Sequence, residues 1–128
     1  MKLIPNIVGG LLGFAFIAFS MMYFLKMMPA KEPPAPGSPA ALFMGAIIPS
    51  GYMSFVKACE LIGGLLVAIP RTRNIGLLFL GPVLLNILAF HIFLKNGAGL
   101  LDPVLVILCV MAAYLLWDGR KKFAGLLN

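Results

Sequence analysis

From Leu3 to Leu25 the chain carries no charged residue, and Lys2 and Lys26 bracket the run. At about 1.5 Å per residue, a helix of this length reaches across a hydrocarbon core of about 30 Å. Lipid offers no hydrogen bonds to a peptide group, so a segment of this kind must satisfy its own backbone, which a helix does. Three more apolar runs follow, at 52–69, 75–94 and 102–117, each ended by prolines, glycines or charges. The expectation is an all-α, integral membrane antiparallel four-helix bundle, with residues 1–128 forming a single membrane domain. Composition agrees: 62% of the 128 residues are hydrophobic and 11% are charged, against about 25% charged in ordinary soluble domains.

The connectors carry their own signals. Prolines 29, 33, 34, 36 and 39 remove backbone donors and favour extended structure, so 29–40 reads as a proline-rich external loop. The apolar stretch 41–49 is too short to cross a bilayer, and reads as an interfacial segment that lies in the headgroup region or folds over the bundle as a lid. Ser50 is placed to cap the second span, and Tyr52 suits a membrane boundary. The short connector Pro70-Arg71-Thr72-Arg73-Asn74 makes spans two and three an antiparallel pair. Gly81-Pro82 predicts a bend inside span three. Asp102-Pro103 reads as a helix cap followed by proline at the first helical position, and Trp117 as an interfacial anchor. Gly9 and Gly13 have the spacing that lets helices approach closely, with ordinary membrane-helix glycine as the alternative reading.

A net charge of +6 would raise the question of nucleic acid on a soluble domain, but here the cations sit at the ends of apolar runs. Placed there they set topology and meet anionic headgroups, so the lipid bilayer is the expected partner and nucleic acid is not. Four spans put Lys2, Arg71, Arg73, Arg120, Lys121 and Lys122 on one side, and Lys26, Lys31 and Lys95 on the other. The excess of cations on the first side predicts that both termini are cytoplasmic. With Met1 present, the first run reads as an uncleaved anchor.

Four polar residues lie within the predicted spans: Lys57 and Glu60 on the second, Asn86 and His91 on the third. An ionisable group facing lipid costs roughly 2.5–3.5 kcal/mol even on permissive insertion scales, so Glu60 should face the bundle interior or a wet cavity, or stay protonated, with Lys57 at i,i+3 as its local partner. Counting inward from Tyr52 and Leu94 places Glu60 and Asn86 at one level, about 12 Å below the outer boundary, with Lys57 and His91 shallower. Asn86 and His91 differ by roughly 140° around an ideal helix, so they do not both face Glu60 directly. Glu60 and His91 read either as a proton-handling pair or polar contacts for a small redox molecule, with Asn86 and Lys57 contributing, or else as helix-to-helix glue. Cys59 and Cys109 lie at similar depths, which admits a disulfide or thiol relay, but matched depth does not establish facing direction, and inert packing is the simpler reading of both. No metal-ligand cluster, phosphate loop or serine triad is evident, and the residues do not assign a catalytic role.

Lys57-Ala58-Cys59-Glu60-Leu61-Ile62-Gly63-Gly64, with Gly81-Pro82 and the Phe90-His91 pair, resembles the DoxX family of small four-helix membrane proteins over about residues 52–117. The resemblance implies a multi-pass protein of the bacterial inner membrane, in a family linked in part with quinone-dependent sulfur oxidation and redox-stress complexes. It implies a small membrane subunit that binds a quinone or another small apolar redox molecule, or that supports a partner oxidoreductase. The competing expectation is a structural or assembly subunit of a larger membrane complex, with small-residue faces on spans one and two, Gly9 and Gly13 among them, forming the contact; a homo-oligomer is also possible. A small-solute transporter is disfavoured by the small number of spans and the lack of an internal repeat.

Overall fold

A computed structural model describes residues 3–27 and 33–127 of the chain, and among these the regular structure is entirely helical. Lys2, Lys31 and Pro29, which entered the charge and loop expectations above, lie outside the described residues. The helices are α1 (Leu3–Phe24), α2 (Pro39–Ile47), α3 (Tyr52–Ala68), α4 (Arg73–Ala89), α5 (Pro103–Asp118) and α6 (Arg120–Ala124). A 3₁₀ turn at Pro70–Thr72 leads into α4, and a π-helical turn at Phe90–Leu94 prolongs it. The stretches Leu3–Phe24 and Pro70–Leu94 are long and apolar enough to cross a membrane. With 17 and 16 residues, α3 and α5 rise only about 25 Å each.

The four long helices form a ring in which α3 packs against α1 and α4, and α5 closes the circuit against the same two helices. Their ends gather at two poles. The start of α1, the end of α3 and the start of α4 meet where Arg73 reaches Asn6 and Val67. The end of α5 joins them, with Gly119 close against Asn74. Arg71, Arg73, Arg120, Lys121 and Lys122 therefore share one pole. The end of α1 meets the start of α3 at the other pole, through a hydrogen bond of 3.1 Å between Tyr23 Oη and Ser54 Oγ.

Close packing comes from glycine. A Cβ on Gly13 would stand 2.5 Å from the Gly64 carbonyl oxygen, and a Cβ on Gly64 would stand 2.9 Å from that of Gly13, so α1 and α3 touch backbone to backbone. On the next face of α3, Gly76 approaches Val67 N and the Gly63 carbonyl, where a Cβ would stand 2.5 and 2.8 Å away. Successive residues of a helix point about 100° apart, so the Gly63-Gly64 pair serves two neighbouring helices at once. Leu12 and Phe16 of α1, Val67 of α3, Leu77 and Leu80 of α4 and Leu115 of α5 fill the space between. Most other large apolar side chains point outward, as expected of helices whose outer faces meet lipid.

Local expectations hold in part. Asp102 caps α5 by accepting from Val104 N at 2.9 Å, with Pro103 next. The cap of α3 is Gly51, not Ser50; Gly51 takes φ 86°, which costs a residue without Cβ little. Ser50 still accepts from Tyr52 N and donates to the Ile47 carbonyl. The stretch expected at the interface forms α2, begun by Ser38 accepting from Ala41 N. It meets α3 at an 80° bend, and its Phe43 packs on Phe90 with ring centroids 5.5 Å apart. The helix α4 runs uninterrupted through Pro82.

Candidate functional site

The 80° bend keeps α2 from lying along the bundle, and a cleft of about 1200 Å³ opens between α2, the first part of α3 and the second part of α4 with its π-helical turn. Its walls are mostly aromatic and aliphatic, with Phe43 from α2, Phe55 from α3, Phe79 and Val83 from α4, and Phe90 and Phe93 from the turn. Lys57, Glu60, Asn86 and His91 all line it, as does Cys59. The four polar residues singled out in the sequence thus meet in one cavity.

Each is held differently. Glu60 is only 4% exposed and pairs with Lys57 Nζ at 3.3 Å, the i,i+3 pairing that the sequence predicts. The Lys57 ammonium also lies over the Tyr23 ring, 6.0 Å from its centroid, where the ring's negative face attracts it. Asn86 is exposed and does not join helices: its Nδ2 donates to the Pro82 carbonyl one turn back on its own helix, at 2.8 Å. That contact corrects the expectation of Asn86 as glue between helices. His91 is half-buried, and its Nδ1 lies 2.8 Å from the Ile87 carbonyl. A carbonyl oxygen can only accept, so Nδ1 carries the hydrogen and Nε2 of the neutral ring keeps its lone pair.

The segment after α4 seats the histidine. The π-helical turn ends with Lys95 N donating to the Phe90 carbonyl, and Gly97 N donates to the His91 carbonyl at 2.7 Å. Asn96, Gly97 and Gly99 all take positive φ, and Gly99 comes so near that a Cβ there would stand 2.8 Å from His91 Cδ2. Phe90 meets the His91 ring edge-on, with centroids 5.5 Å apart. The imidazole is therefore fixed by a carbonyl, an aromatic ring and a glycine loop.

A second polar cluster, which sequence reasoning missed, lies at the opposite pole. Arg73, expected at a surface loop, is 8% exposed. Its Nε donates to the Val67 carbonyl at 3.0 Å and its Nη1 to Asn6 Oδ1 at 3.1 Å. Asp118 acts on it electrostatically. The guanidinium occupies the space left by Gly9, where an added Cβ would collide with Nε. Gly9 and Gly13 are therefore buried within the chain against Arg73 and α3, which corrects the expectation that they form a face for another subunit. The only available signal was Asn6, an amide three residues before Gly9 in the charge-free run.

Cys59 and Cys109 are free and half-buried, on helices diagonal to one another in the ring. Among the described residues no group of three or more His, Cys, Asp or Glu is arranged to hold a metal.

No protein-family model matches the chain, and no solved structure does. The chain is similar to the uncharacterized protein YwoB of Bacillus subtilis strain 168, with 31% identity over 75 residues. That match covers 59% of this chain and 47% of the relative, so the chain spans about half the relative's length.

Proposed function

We propose that this chain is a four-span protein of the bacterial inner membrane whose cleft receives a small apolar molecule with a polar head, as a subunit of a redox system. The observation that carries the reading is the convergence of Lys57, Glu60, Asn86 and His91 on one otherwise apolar cavity. An ionisable residue at membrane depth is costly, and such residues commonly mark a ligand or proton path. Few convergent polar groups in an apolar pocket are also the usual composition of a small-molecule site. The resemblance of Lys57 to Gly64 and of Phe90-His91 to the DoxX family supports a quinone-like occupant and an oxidoreductase partner. Both termini are assigned to the cytoplasm, because the pole holding Arg71, Arg73, Arg120, Lys121 and Lys122 is the more basic one.

A photoactivatable alkyl-tailed quinone analogue, added to the full chain in nanodiscs and mapped by peptide mass spectrometry, tests the reading. Crosslinks concentrated in 43–60 and 78–94, and reduced in His91→Ala, are expected. Labelling spread evenly over the outward faces of α1 and α5 would refute a specific cleft. For the rival reading, a structural subunit, Gly9 and Gly13 are not open contact positions, because both are buried within the chain.

A further inference from the structure

We propose that the basic pole is a selective binding site for anionic glycerophospholipid, built by the 3₁₀ turn at Pro70–Thr72 together with the segment after α5. This site is separate from the cleft, which lies toward the other pole, and does not depend on what the cleft holds.

The chain turns at Gly119 instead of prolonging α5. Gly119 N donates to the Leu115 carbonyl, closing α5, and the Gly119 carbonyl accepts from Lys122 N at 2.9 Å and Phe123 N at 3.1 Å, starting α6. A Cβ on Gly119 would stand 2.7 Å from Asn74 Oδ1 and 3.2 Å from Phe123 Cε2, so the turn packs tightly against the start of α4. Phe123 in turn packs against the buried core, which holds α6 to the end of the bundle. Arg120, Lys121 and Lys122 are thereby kept at the same end as Arg71, and all four are exposed. Asp118 is the single acid at this pole among the described residues, and it acts on the buried Arg73; Glu60 and Asp102 lie toward the opposite pole. The exposed cations therefore carry a net charge that calls for an anionic partner.

Exposed cations alone would suit any polyanion. Here they are interleaved with exposed apolar side chains: Trp117 is 60% exposed, Leu126 66% and Leu127 79%. The Arg120 guanidinium lies 4.1 Å from the Trp117 ring centroid, and its Nη1 donates to the Trp117 carbonyl at 2.7 Å. That stacking sets a cation at the depth of an interfacial indole. Leu126 and Leu127 follow the lysines closely, and covering them takes acyl chains, which a soluble polyanion does not offer. An anionic lipid supplies both a phosphate for the cations and chains for the leucines. A zwitterionic lipid has the phosphate too, but its headgroup brings a cation that Arg71, Lys121 and Lys122 repel.

Trp117 is the single tryptophan of the chain, so its fluorescence reports the lipid beside this pole. The full chain is reconstituted in mixed phosphatidylglycerol and phosphatidylcholine bilayers, with one lipid or the other brominated in its acyl chains, and the quenching of Trp117 is compared. Attraction of one cation to an anionic surface corresponds to a preference of about fivefold, so wild type should favour phosphatidylglycerol at Trp117 by about fivefold or more. The preference should fall at high salt. It should also fall in Lys121→Gln/Lys122→Gln, whose side chains are exposed and leave the packing untouched. Lys26→Gln/Lys95→Gln, at the opposite pole, should retain it. Equal quenching by the two brominated lipids in wild type would overturn the proposal. So would a preference that survives Lys121→Gln/Lys122→Gln, or one that falls equally in Lys26→Gln/Lys95→Gln, because selection would then not come from this segment.

Discussion

Replacing Gly13 by alanine adds a single methyl group where two helix backbones meet. The added carbon would stand 2.5 Å from the Gly64 carbonyl oxygen, 2.8 Å from Ala68 Cβ and 2.9 Å from Ala68 N. The shortest of these falls about 1 Å inside ordinary van der Waals contact. No flexible side chain stands in the way to be displaced, so α1 and α3 must separate, and the cost falls on the most extensive packing in the bundle. Overpacking of this kind costs about 1–3 kcal/mol, which is a large share of a typical folding free energy of about 5–15 kcal/mol. Gly10→Ala is the matched control, since a Cβ there meets nothing within 4 Å and alanine improves helix propensity by up to about 1 kcal/mol. Reversible unfolding of the full chain in mixed micelles, driven by rising dodecyl sulfate and followed by circular dichroism, compares the two. Gly13→Ala should unfold at a lower fraction of denaturing detergent than wild type, and Gly10→Ala at the same or a higher fraction. Equal midpoints for Gly13→Ala and Gly10→Ala would refute the backbone-to-backbone contact of α1 and α3.

Arg73→Leu leaves Asn6 Oδ1 and the Val67 carbonyl without their donor; loss of about 2–4 kcal/mol is expected in the same unfolding assay, combining unsatisfied acceptors with a lost charge-assisted network. Stability unchanged from wild type would show that Arg73 is dispensable at that pole. Asp102→Ala removes the side chain that accepts from Val104 N and should cost about 0.5–2 kcal/mol, with Asp102→Asn retaining most of it, as read from unfolding midpoints. Oxidation of the protein with copper-phenanthroline should leave Cys59 and Cys109 unlinked within one chain, since their helices stand diagonally in the ring. An intramolecular disulfide detected by peptide mapping would contradict that helix order.

What the sequence disclosed depended on the range of the interactions involved. The Asp102-Pro103 cap was legible because capping involves residues adjacent in the chain. The Lys57–Glu60 pair was legible because helical spacing sets its distance. The shared level of Glu60 and Asn86 followed from depth counting along two antiparallel helices, which needs only the rise per residue and the short turn at Pro70–Thr72, but the cleft that the polar residues line did not. Arg73 escaped notice because a cation in a connector normally marks topology; its burial depends on Gly9, far away in sequence. The seating of His91 escaped as well. Angular arithmetic assumes a uniform α-helix, whereas the chain widens into a π-helical turn at Phe90. The bent α2 was expected as an interfacial segment or a lid over the bundle, and the angle that opens the cleft is a property of tertiary packing.

The account turns on whether the cleft beside Glu60 holds a small molecule in the membrane. Native mass spectrometry of the full chain purified in mild detergent, followed by solvent extraction, examines this directly in wild type and in Glu60→Gln. The prediction is a discrete small molecule retained in stoichiometric amount by wild type and lost or depleted in Glu60→Gln. Wild-type protein that is folded, monodisperse and free of any such molecule, or one retained equally by Glu60→Gln, would contradict it.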